Sequence, residues 1–142
     1  QCDADGRNPT HYNPELSRRA RGFAAWAVIQ SLGRAGIRNM VEQHCKAARV
    51  VGESLSGIDG LEVLNRVDLN QLVLSFEKDG ANVTAQIADL LNGDGTSFVR
   101  TTHWKGREAL RISIISKNAS CRTGQHLAER ILDLWAGFAR RN

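Results

Sequence analysis

No apolar run in this chain approaches the roughly 18 residues that a membrane-crossing helix needs. No basic-then-apolar leader opens it either. Neither a membrane partner nor export is expected, and a cytoplasmic location is. Cysteine is scarce: Cys2, Cys45 and Cys121 show no paired metal-ligand spacing, and any one bridge would leave a thiol over. Free thiols in a reducing compartment follow, with Cys45 inside a helical pattern as a small buried hydrophobe. Aromatic residues make up 6% of the chain and net charge is only +4. A nucleic-acid surface wants a continuous basic stripe with aromatics or a known module beside it, so nucleic acid is not an expected partner. Methionine does not stand first. Gln1-Cys2-Asp3-Ala4-Asp5-Gly6 reads as the interior of a longer protein or the product of a processing cut.

Complete catalytic sets are missing as well. His11, His44, His103 and His126 fall on four unrelated elements, and no His-Glu-x-x-His, serine elbow or phosphate loop occurs. His44 reads as a packed or surface histidine. Asp89, Asn92 and Asp94 suggest a calcium loop, but the twelve-position ligand pattern with its closing Glu is absent, so no metal is expected. Beyond Lys78 only Lys105 and Lys117 remain, and neither has the hydrophobic surroundings that Schiff-base chemistry asks for.

What is present describes one α+β domain. The 142 residues, 42% hydrophobic and 24% charged, suffice for a real core. Residues 1–13 lack apolar anchors and read as a flexible or partner-ordered tail. Asn13-Pro14 caps a first helix reaching about Leu32, with Leu16, Phe23, Trp26, Ala27, Val28 and Ile29 as its apolar side. Gly33-Arg34-Ala35-Gly36 breaks it. A second helix runs from about Ile37 to Leu55, with Ile37, Met40, Val41, Cys45, Ala48 and Leu55 inward. Strands follow at Leu61–Leu64 and Asn70–Phe76, then a turn at Asp79-Gly80 and a short helix from Asn82 to Leu91. A third strand over Thr96–Thr102 joins a fourth over Ala109–Ser116 through a Gly106 hairpin. A last helix begins near Arg122 or Gly124 and ends near Phe138. The order α-α-β-β-α-β-β-α predicts a four-stranded, mostly antiparallel sheet with helices over one face. With no glycine fingerprint in a β-α-β unit, it is not a nucleotide-binding fold.

On the first helix Ser17-Arg18-Arg19-Ala20-Arg21 is a charged first half, read either as a solvated face or as an anion or partner contact. The fourth strand carries a further candidate functional residue, Arg111. Leu110, Ile112 and Ile114 share one parity; Arg111, Ser113 and Ile115 share the other. Arg111 is thus a fixed guanidinium on a rigid strand. Two readings stand: an edge-strand arginine facing water, or a bidentate grip on a carboxylate or phosphate.

From Ser17 to Ser120 the chain resembles the C-terminal portion of the group II pyridoxal-phosphate-dependent amino acid decarboxylases. These include the aromatic amino acid, glutamate, diaminobutyrate and bacterial aspartate enzymes. The resemblance rests on Ser17-Arg18-Arg19 with Trp26, Leu32-Gly33-Arg34-Ala35-Gly36-Ile37 and Gly60-Leu61-Glu62-Val63-Leu64. It continues through Leu69-Asn70-Gln71-Leu72-Val73-Leu74, Gly95 to Gly106 with Trp104, and Leu110-Arg111-Ile112-Ser113. It implies residues 14–142 as the small domain of an aminotransferase-like fold. The cofactor is then pyridoxal 5'-phosphate (PLP), bound mainly by a large domain that would precede Gln1 and that carries the Schiff-base lysine. The partners implied are that large domain or chain, a dimeric assembly and an amino acid substrate. Arg111 would contact the substrate carboxylate. Tyr12, the only tyrosine, would stand for the family's mobile-loop tyrosine, although it lies closer to Ser17-Arg18-Arg19 than in the animal enzymes. Arg18, Arg19 and Trp104 are further candidates. The alternative is a free-standing binding or regulatory domain derived from that family.

Overall fold

The computed structural model describes Tyr12, residues 19–93 and residues 95–140. These form three helices and five strands in the order α1 (Arg21–Leu55), β1 (Leu61–Val63), β2 (Gln71–Lys78), β3 (Ala81–Asn82), α2 (Thr84–Asn92), β4 (Arg100–Trp104), β5 (Arg107–Ser113) and α3 (Cys121–Ala139). The chain divides into two units, Gln1–Ile37 and Arg38–Asn142.

In the first unit α1 opens at Arg21, where the backbone N–H of Phe23 meets the Ala20 carbonyl at 3.0 Å. The helix start expected at Asn13-Pro14, and Leu16, lie outside the described residues. The expected break is real: Gly33 sits at φ 60°, ψ −176°, a non-helical conformation inside α1 that a residue without a Cβ reaches at little cost. The apolar side of this segment is not buried as expected. Phe23 is 67% and Trp26 55% exposed, their rings 5.6 Å apart, and Val28, Ile29 and Leu32 are exposed too.

The second unit holds the core. Here the inward side of α1 is His44, Cys45, Ala47, Ala48, Val51 and Leu55, a three-and-four-residue spacing that forms one helical stripe. Hydrophobicity alone assigns Met40 and Val41 to that stripe, yet Val41 is exposed. Small residues at 47 and 48 are what the packing needs. An added Cβ on Gly124 of α3 would lie 2.6 Å from the Ala47 carbonyl oxygen, so the two helices approach backbone to backbone.

The sheet is antiparallel in the order β1-β2-β5-β4, with β3 pairing β2 beyond that path. This corrects the four-stranded expectation and its element order. β3 has two residues, Ala81 and Asn82, too few for a hydrophobic pattern to reveal. It arises because Asp79 and Gly80, at φ 53° and 76°, form a two-residue hairpin turn between Lys78 and Ala81. Lys105 and Gly106, at 49° and 82°, do the same between Trp104 and Arg107. Positive φ at both central positions matches the right-handed twist of the flanking strands. The last helix starts at Cys121, earlier than expected. The Ser120 hydroxyl accepts from the Thr123 N–H and the Thr123 side chain accepts from the Ser120 N–H, a capping box.

One face of the sheet, with Leu61, Leu72, Leu74, Phe76, Leu110 and Ile112, packs on Val51, Leu55, Ile87, Leu91, Ala128, Ile131 and Trp135 of the helices. Each fully buried Leu, Ile or Phe there contributes about 1.5–3 kcal/mol. His44 is packed as well, its Nε2 2.9 Å from the Ser116 carbonyl. The exposed residues of the other face include Glu62, Gln71, Arg100, Arg107 and Arg111.

Candidate functional site

The β4–β5 hairpin builds this second face. Its turn sets the register Trp104↔Arg107, Thr102↔Ala109 and Arg100↔Arg111. On its other flank β5 pairs β2, which places Val73 beside Arg111 and Gln71 beside Ser113. Arg111 therefore stands on an inner strand, not at an edge. The edge strand on this side of the sheet is β4, and it carries Arg100.

Three arginines share the face with unequal surroundings. Arg107 is paired: its Nη1 lies 2.8 Å from Glu62 Oε2. Among the described residues neither Arg100 nor Arg111 has a salt bridge to a carboxylate, and both side chains are exposed. Arg100 does have a neighbour, for its guanidinium carbon lies 5.5 Å from the centre of the Phe98 ring. An aromatic face covers one side of the guanidinium and leaves its N–H edges available. Arg66, remote on a loop, contrasts with them: its hydrogen bond and charge pairing with Asp68 raise its pKa further.

The approach to β4 is anchored at several points. The Asn92 side chain at the end of α2 accepts from the Val99 N–H at 2.8 Å and donates to the Val99 carbonyl at 3.1 Å. Arg130 of α3 donates to Thr96 Oγ1, Ser97 Oγ and the Leu91 carbonyl. Val99 itself is 4% exposed, so the residue that delivers Arg100 is held on both sides. Next to it runs a largely apolar groove of about 450 Å³ that includes Phe98, Ile114, Ile115 and Leu127.

The sequence-derived candidates distribute unevenly. Arg111 and Trp104 both lie on the β4–β5 hairpin, where Trp104 pairs with Arg107, four residues before Arg111. Arg19 and Tyr12 are exposed and belong to the first unit; Arg18 lies outside the described residues, as does Asp94 of the rejected calcium loop. Arg100 is a residue that the sequence reading does not bring forward. The Gly106 turn is the signal that could find it, since counting back from a two-residue loop sets Arg100 against Arg111.

The lysines decide how far this chain alone suits PLP. Lys46, Lys105 and Lys117 are exposed, and Lys78 donates to the Phe138 and Ala139 carbonyls at the end of α3. None lies in a closed apolar pocket of the kind a Schiff-base lysine requires. These residues do not form a PLP-anchoring site.

No protein-family model matches the chain. Solved structures do resemble it. The TDC of Oryza sativa, determined with PLP and tryptamine, superposes with a TM-score of 0.77 at 20% identity, over 94% of this chain and 30% of that one. Tryptophan decarboxylase of Catharanthus roseus, in complex with L-tryptophan, gives 0.69 at 17% identity over 90% and 28%. Glutamate decarboxylase of Lactobacillus brevis gives 0.70 at 15% identity over 84% and 28%. The chain spans less than a third of the length of these enzymes, and over that span it has the fold of one part of an amino acid decarboxylase.

Proposed function

We propose that the chain is the small-domain part of a cytoplasmic, dimeric PLP-dependent L-amino acid decarboxylase. Residues 14–142 form that domain, and it completes the substrate site of a large PLP-binding domain. The observation that carries this reading is Arg111: an exposed guanidinium on an inner strand, with no carboxylate partner among the described residues, in a fold shared with decarboxylases. The exposed Phe23, Trp26, Ile29 and Leu32 of the first unit support a missing apolar partner surface. The large domain is that partner.

In this reading the cofactor and its lysine belong to the large domain, and this chain supplies position. Arg111 grips the substrate carboxylate by two parallel hydrogen bonds. The carboxylate loses its charge as carbon dioxide departs, so tight ground-state binding alone does not speed the step. What Arg111 contributes is orientation of the group that leaves.

The test is to express the chain alone and joined to the residues that precede it in its parent gene, with PLP supplied. Carbon dioxide release is then followed with a panel of amino acids. Release only from the joined protein, lowered at least about a hundredfold by Arg111→Ala, is expected. Release by the chain alone, or unchanged kinetics in Arg111→Ala, overturns the reading.

A further inference from the structure

We propose that Arg100 and Arg111 act together as a clamp for a doubly charged anion, and that the substrate is an amino acid with a second carboxylate. This rests on the reading of Arg111 given above and extends it to substrate class. Arg100 and Arg111 are direct cross-strand partners, whose Cα atoms in an antiparallel pair stand about 5 Å apart. Like charges placed directly opposite each other destabilise a ribbon. Glu62 does not relieve them, because its carboxylate is bound to Arg107.

Charge balance then selects the ligand. Two guanidiniums carry two positive charges, and one carboxylate neutralises only half of that. Each guanidinium presents a fork suited to a separate carboxylate, and β4 and β5 hold the two forks at adjacent positions. The Phe98 ring beside Arg100 covers one side of that guanidinium and leaves its N–H edges to an anion. The same dianionic chemistry could also come from a phosphate group, so the experiment includes both.

The chain, labelled with nitrogen-15, is titrated with glutarate, butyrate and inorganic phosphate at constant ionic strength, following the arginine Nε–H resonances. The same titrations are run on Arg100→Gln and Arg111→Gln, exposed positions at which folding is checked from the amide spectrum. Glutarate is expected to bind at least about tenfold more tightly than butyrate, with phosphate weaker than glutarate. Either substitution should bring the glutarate-to-butyrate preference to within about twofold. Equal affinity for glutarate and butyrate, no binding of any of them, or an unchanged preference in Arg100→Gln overturns the clamp. Tighter binding of phosphate overturns the dicarboxylate assignment. If the joined protein releases no carbon dioxide while the chain still prefers glutarate, the decarboxylase reading fails and the clamp stands. Release from monocarboxylic amino acids only, with no glutarate preference, overturns the clamp and leaves the decarboxylase reading in place.

Discussion

Asn92 brackets the backbone of Val99, accepting from its N–H at 2.8 Å and donating to its carbonyl at 3.1 Å. One side chain thereby serves as a strand partner for a residue that precedes β4. Asn92→Ala leaves the N–H and C=O of Val99, a residue only 4% exposed, without that partner. A loss of about 1–3 kcal/mol is expected, read as a shift in the urea midpoint with unchanged slope. Faster exchange of the Val99 amide should accompany it. A urea midpoint equal to wild type would show that the loop is held by Arg130 instead.

Much of this architecture is legible in residue patterns, for identifiable reasons. Period-two alternation in Leu110–Ile115 sets Arg111 opposite in parity to the buried Leu110 and Ile112, and the structure keeps that assignment. The Gly33 break needs only glycine's access to positive φ. The two-residue β3 carries no periodicity of its own and follows from the Asp79-Gly80 turn alone. Exposure of Phe23 and Trp26 contradicts their hydrophobicity, because composition says that a residue favours burial but not which chain supplies the cover. Arg100 escapes notice for a different reason. Its significance lies in its cross-strand partner, which a reading strand by strand does not reach.

Gly60 is a position where both backbone and space demand glycine. Its φ is +69°, and an added Cβ would stand 2.5 Å from the Glu77 carbonyl oxygen and 2.6 Å from the Trp135 ring. The Trp135 indole N–H also donates to the neighbouring Asp59 carbonyl at 3.0 Å, which fixes the ring against this turn. Gly60→Ala is expected to cost about 2–4 kcal/mol, combining left-handed strain with overpacking. Thermal unfolding of the variant measures it. A melting temperature equal to wild type would mean that the turn repositions freely.

Lys105 occupies the first central position of its hairpin turn at φ 49°, a conformation disfavoured for a long side chain. Asparagine tolerates it better, and Asn-Gly is the favoured pair for this turn. Lys105→Asn should stabilise the chain by about 1 kcal/mol, raising Tm by roughly 3 °C. Any fall in Tm would indicate that the Lys105 side chain makes a compensating contact.

Arg111→Gln separates stability from function in the opposite sense. In the chain without ligand, Arg111 faces Arg100 across the ribbon, and its other neighbour is the uncharged Val73. Removing one charge ends the repulsion without disturbing the contact of Arg100 with Phe98. A gain of about 0.2–1 kcal/mol at low ionic strength is expected. It should fade near 1 M salt, where the screening length drops to about 3 Å. The gain is tested by denaturant unfolding at two salt concentrations. A salt-independent loss of stability would show that the two guanidiniums point apart, and that the strand pairing does not bring their charges together. A salt-sensitive gain, coupled with loss of carbon dioxide release in the joined protein, is what a binding site kept at the expense of stability requires.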